Sequence, residues 1–98
     1  MAKVTFTPAD GTLAAYLSGE IDHHSAQLLR DEIDAMLRDR MPDTLVLDFG
    51  GVTFMDSSGV GLILGRSRRM QATGGRLVVQ HPPAQIQKML ELARVAYV

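Results

Sequence analysis

Two serines follow a carboxylate directly in the segment Phe54-Met55-Asp56-Ser57-Ser58-Gly59. Residues of these types support two kinds of chemistry. Asp and Ser are favoured at helix N-caps, where a side-chain oxygen accepts from a backbone N–H that has no partner within the helix. Alternatively, the hydroxyls stand at a helix start whose free N–H groups and partial positive charge can hold an anion. A cap needs one such side chain, and here three stand together. Gly59 and Gly61 come next, and without side chains they leave the backbone open to close approach by another protein.

The physical consequence of a phosphate on Ser57 can be worked out from this segment. It adds roughly −1.5 to −2 charge and three acceptor oxygens. Within the protein, a helix N-terminus stabilises such a group by ~0.3–1 kcal/mol at an exposed position. A partner packed on the turn would instead meet a bulky anion beside Asp56, with desolvation and like-charge costs concentrated in the interface. The fold survives while docking fails, which describes a switch rather than an enzyme.

Other chemistries fit less well. A nucleophile elbow needs Gly-x-Ser-x-Gly, but Met55 and Asp56 stand two residues before Ser57 and Ser58. His81 could act as a base, yet a chain of 98 residues lacks the usual scaffold for a triad and pocket. His23 and His24 are adjacent, so they do not face each other on a helix, and no third His or Cys supports a metal site. Gly59-Val60-Gly61 followed by Gly65 misses the Gly-x-Gly-x-x-Gly spacing by one residue, and no P-loop Lys follows. Gly61 and Gly65 instead make a smooth helix face for packing or for a partner. Leu62 and Arg66 border that face, either as interface residues or as ordinary surface.

The elements that must position the turn can be read from periodicity. Val4 to Thr7 reads as a strand stopped by Pro8, Asp10-Gly11 as a hairpin turn, and Thr12 to Ser18 as a strand with Leu13, Ala15 and Leu17 on one face. Gly19-Glu20-Ile21-Asp22 reads as a connection. Asp22 or Ser25 caps a helix reaching about Arg40, with Leu29, Ile33, Met36 and Leu37 inward. Leu45-Val46-Leu47 has the unbroken apolar character of a buried parallel strand, followed by a Gly50-Gly51 turn and a short Val52–Met55 segment. A second helix is predicted from Ser57 to about Ala72, with Val60, Ile63, Leu64 and Met70 inward and Gly74-Gly75 as its stop. Arg76 to Gln80 forms a strand, Pro82-Pro83 opens a third helix to about Ala93 with Ile86, Met89 and Leu90 inward, and Val95–Val98 forms a last short strand. The expected fold is α/β: a mixed sheet of four to five strands with the helices on one face, because repeated right-handed crossovers in one direction stack them there.

Composition sets the outer bounds. The length suits one domain, and a 46% apolar fraction is enough for one core. A net charge of −1 with no basic block gives no electrostatic case for direct nucleic-acid or membrane binding. The absence of cysteine excludes disulfides and thiolate metal sites and suits a reducing compartment. Met1 to Pro8 does not read as a secretory signal, and Leu62-Ile63-Leu64 is too short to span a bilayer, so cytoplasm is the expected location.

Gly19-Glu20-Ile21-Asp22-His23-His24, Phe54-Met55-Asp56-Ser57-Ser58-Gly59-Val60-Gly61 and Ile63-Leu64-Gly65-Arg66 together resemble a STAS domain of the anti-sigma factor antagonist family. The sporulation-type antagonists of the sigma-F regulator are the nearest likeness, and the resemblance covers nearly the whole chain. It implies a bacterial protein, itself without cofactor or catalysis, that binds an anti-sigma factor which is also an ATP-dependent serine kinase, thereby releasing a sigma factor. It further implies that the kinase phosphorylates Ser57, with Ser58 as second choice, and that a metal-dependent serine phosphatase reverses this. Asp22, Asp56, Ser58 and Gly59 become candidate partner contacts, beside Gly61, Leu62 and Arg66. The alternative within the family is a STAS scaffold, or a subunit of a larger regulatory or transport assembly, in which Ser57 is never phosphorylated. Longer members continue past Val95–Val98 into a C-terminal helix, so residues 1–98 are expected to form a single STAS domain lacking that element.

Overall fold

A computed structural model of residues Met1–Val98 gives the order β1 (Ala2–Ala9), β2 (Thr12–Ile21), α1 (His23–Arg40), β3 (Thr44–Met55), α2 (Ser57–Ala72), β4 (Arg76–Gln80) and α3 (Ala84–Leu92). The strands lie in sequence order in one sheet. β1 and β2 are antiparallel, joined at Asp10-Gly11 where Gly11 takes a φ of 70°. β2, β3 and β4 are parallel, so α1 and α2 are their crossovers.

The core lies between that sheet and the helices. Alternation places Leu13, Ala15 and Leu17 of β2 and Leu45 and Leu47 of β3 on one face, where they are fully or almost fully buried. Leu29, Ile33 and Leu37 of α1, Ile63 and Met70 of α2, and Ile86 and Leu90 of α3 close over them. Both long helices have the predicted bounds. α1 ends because Met41 takes a left-handed conformation (φ 47°) whose N–H still reaches the Leu37 carbonyl.

Four expectations about the strands need correction. Pro8 does not stop β1, which pairs with β2 through it to Ala9. Residues 19–21 are not a connection, because β2 runs on to Ile21. The pairing with β3 shifts register at Gly19, whose φ of 86° and lack of a side chain let the Met1 carbonyl pass where a Cβ would stand. Gly50-Gly51 is not a turn either. β3 continues through it as one strand of 12 residues, with Gly51 lying against the β2 backbone at Leu17 and Ser18. Finally, Val95–Val98 is not a strand, although Val98 donates to the Val79 carbonyl on the free edge of β4 and accepts from the N–H of His81 just beyond it.

Candidate functional site

β2 and β3 run parallel, pair Ile21 with Met55, and each ends one residue before an aspartate that caps a helix. The construction is repeated almost angle for angle. Asp22 has φ −107° and ψ −175°, and its Oδ1 accepts from Ser25 N–H at 2.8 Å. Asp56 has φ −95° and ψ −173°, and its Oδ1 accepts from Ser58 N–H at 2.8 Å. The Asp56 N–H also donates to the Ile21 carbonyl at 3.1 Å, tying the two turns together. Two carboxylates therefore stand side by side at the carboxyl end of the parallel strands, where ligands bind in open α/β sheets. The backbone N–H of Ser25, supported by its hydroxyl, holds the Asp22 carboxyl below the ordinary aspartate range.

The second turn is the more elaborate. Ser57 is exposed, Ser58 half-buried and Gly59 buried. Gly59 is required there, because a Cβ would overlap the Sδ and Cγ of Met55, a side chain that is itself buried. Gly61 and Gly65 meet nothing: a Cβ at either would project into open space. Their face of α2 is free rather than packed against the protein, and Leu64 beside them is 40% exposed. Phe54, just before the turn, is also half-exposed. Asp22, Asp56, Ser57 and Gly61 thus share one accessible edge.

Leu62 and Arg66 are placed differently from the sequence reading, which set them at the border of an open face. Leu62 is 4% and Arg66 8% exposed. The buried stripe of α2 is Gly59, Leu62, Ile63, Arg66 and Met70, and the expected inward residue Leu64 lies outside it. Arg66 occupies an apolar position in the stripe because Asp34 of α1 lies 3.0 Å from its Nε. Both residues still line the floor of a groove between α1 and α2 that begins at Ser58.

Sequence reasoning missed a second polar cluster. The buried Asp48 of β3 accepts from the Gly50 N–H and from Gln80 Nε2, each at 2.8 Å, and pairs with His81 Nδ1 at 2.7 Å. Burial works to raise the Asp48 carboxyl, but these hydrogen bonds outweigh it and the group stays below the ordinary range. The only signal in the sequence was an Asp inside an apolar strand. His81 is committed to Asp48 and hydrogen-bonds to neither serine.

A family model described as Mlab, STAS domain matches residues 3–97. The anti-sigma F factor antagonist of Lysinibacillus sphaericus is 37% identical over 82 residues, 84% of this chain and 70% of that protein. Among solved structures, the anti-sigma factor antagonist SpoIIAA in its unphosphorylated form superposes with a TM-score of 0.83 at 28% identity, covering 100% of this chain and 88% of the other. The Bacillus cell fate determinant SpoIIAA in its phosphorylated form gives a TM-score of 0.78 at 29% identity, over 98% of this chain and 91% of the other.

Proposed function

This chain belongs to the STAS domain family, and from that premise we propose that it is an anti-sigma factor antagonist that works by partner switching in the cytoplasm. With Ser57 free, the accessible edge of Asp22, Asp56 and Gly61 docks on an anti-sigma factor that is also a serine kinase, and the sigma factor is released. The kinase then places a phosphate on Ser57, docking ends, and a metal-dependent serine phosphatase resets the chain. The observation that carries this reading is the exposure of Ser57 at an Asp-capped helix start, on the same helix as Gly61 and Gly65, whose faces are open. The relatives named as anti-sigma antagonists, and a structural relative described in both phosphorylated and unphosphorylated forms, support it.

The mechanism uses no catalytic group of this chain. Asp56 is held by the Ser58 N–H, so the helix start is already organised before any phosphate arrives. A phosphate on Ser57 adds its charge at the rim, where the α2 dipole tolerates it and a partner's desolvated surface does not. No helix of the chain is long and apolar enough to cross a membrane.

A second reading is favoured by one finding. The matching family model is described by its STAS domain and not by antagonism, so membership of the family also accommodates a STAS scaffold or a subunit of a larger regulatory or transport assembly that is never phosphorylated. Intact mass and peptide mapping after incubation with the candidate kinase and ATP separate the two. One phosphate on Ser57 is expected. No phosphate, with a kinase active on another substrate, would leave the constitutive subunit.

A further inference from the structure

The groove beside the switch turn carries charge that docking on Asp22 and Asp56 does not use. It lies between α1 and α2, encloses about 330 Å³, and is lined by His23, Gln27, Arg30, Ser58, Leu62 and Arg66, among others. The Arg66 side chain is nine-tenths buried. Its ion pair with Asp34 is so poorly aligned that neither Arg66 Nε nor Asp34 Oδ1 makes a hydrogen bond. Asp34 is shared further, lying 3.9 Å from Arg69. Arg30 stands in the same lining, held only by its chain neighbour Asp31 at 3.3 Å. Burial works against the charge on Arg66; Asp34 supports that charge and Arg30 opposes it. Two like-charged guanidiniums therefore line one open groove, and no carboxylate stands in that lining. Such planar forks match a tetrahedral oxyanion. Ser58, Leu62 and Arg66 follow one another at four-residue intervals on one side of α2, so Ser58 lies in this lining whereas Ser57 does not.

We propose that this groove is a receptor for a phosphate monoester held between Arg30 and Arg66, and that Ser58 is the residue of this chain whose phosphate it fits. The proposal rests on the reading of the turn as a phosphoryl acceptor and deepens it. Transfer from a nucleoside triphosphate forms the Ser58 Oγ–P bond as the bond to the diphosphate leaving group breaks, and the hydroxyl proton passes to solvent. A phosphate on Ser57 stays at the rim, where a partner meets it. One on Ser58 is drawn inward and links α1 to α2.

The test places phosphoserine genetically at position 58 or 57 of the full chain and follows each phosphate by phosphorus NMR against pH. At position 58 the second ionisation should fall about one pH unit below that at position 57, since a nearby guanidinium favours the dianion. Arg30→Gln should remove most of the difference. This substitution is at an exposed residue, whereas Arg66→Gln leaves Asp34 without its partner and can unfold the helix contact. A difference that survives Arg30→Gln overturns the receptor and assigns the effect to the helix start. In a second arm, inorganic phosphate is added to the unmodified chain and the Arg30 and Arg66 Nε signals are followed. Saturable shifts lost in Arg30→Gln, with both phosphoserines titrating alike, would keep the receptor but assign it to phosphate on a separate molecule. Equal titration and no saturable shift overturn the proposal. No arm uses a partner, so failure here leaves the docking reading intact, and failed docking leaves this result intact.

Discussion

The starts of α1 and α2 are nearly the same object built twice. Each follows a parallel strand, each is capped by an aspartate with nearly the same backbone angles, and each cap bond is 2.8 Å long. They differ in what comes after the cap. At α1 the next residues are His23 and His24, both exposed, and Asp22 reaches three residues forward to Ser25. At α2 they are Ser57 and Ser58, Asp56 reaches only two residues forward, and Gly59 sinks onto Met55. Capping chemistry alone therefore does not make a regulatory site. The distinguishing additions are an exposed hydroxyl and a helix start lowered against the core by a glycine.

The comparison breaks most decisively at Ser57. Ser57→Ala should keep partner binding and make it insensitive to kinase and ATP, read by peptide mapping and a binding titration; binding still lost on phosphorylation of that variant would move the switch to Ser58. Ser57→Asp should fold normally yet bind the partner about tenfold or more weakly, a difference of about 1.4 kcal/mol. Tight binding by it would contradict exclusion by charge.

Gly59→Ala tests the lowered helix start. The new methyl must displace Met55 from a packed position, which should cost about 1–3 kcal/mol in a denaturant melt. No loss would show that Met55 moves freely. Next comes Asp56→Ala, expected to cost about 1 kcal/mol as a lost N-cap, with a smaller loss for Asp22→Ala because that cap is fully exposed. Equal losses would remove the energetic distinction between the two starts.

The smallest effect is a pH dependence. Asp22 has a folded pKa below its ordinary value of 3.8. Its contribution is therefore fully present above that ordinary value and is lost as pH falls through the lower folded value. Amide exchange at Ser25 and Ala26 should quicken in that acid window, and Asp22→Asn should flatten the change. An exchange rate insensitive to pH there, after correction for intrinsic chemistry, would detach the cap from its charge.

Much of this arrangement was legible in the sequence because caps and apolar stripes are local signals. Asp22 and Asp56 mark both helix starts, and the Leu29, Ile33 and Leu37 stripe marks the face that α1 buries. The signals failed where tertiary contact overrides local preference. Gly50-Gly51 reads as a turn, but Gly51 lies inside a strand where it passes close to the β2 backbone. Arg66 reads as surface until Asp34, thirty-two positions earlier on another helix, supplies a partner inside the protein. Leu64 and Leu62 are both plausible inward residues by type, and only the packing of α2 against its neighbours selects Leu62.

The room that Gly19 leaves for the Met1 carbonyl also has a practical consequence. It holds Met1 beside the end of β2, with the Met1 amine 3.8 Å from Glu20, two residues before Asp22. An affinity tag fused there would crowd the proposed docking edge and weaken any measured interaction. A small environment-sensitive dye on the same amine would turn that proximity into a built-in reporter, with an emission that changes when a partner arrives.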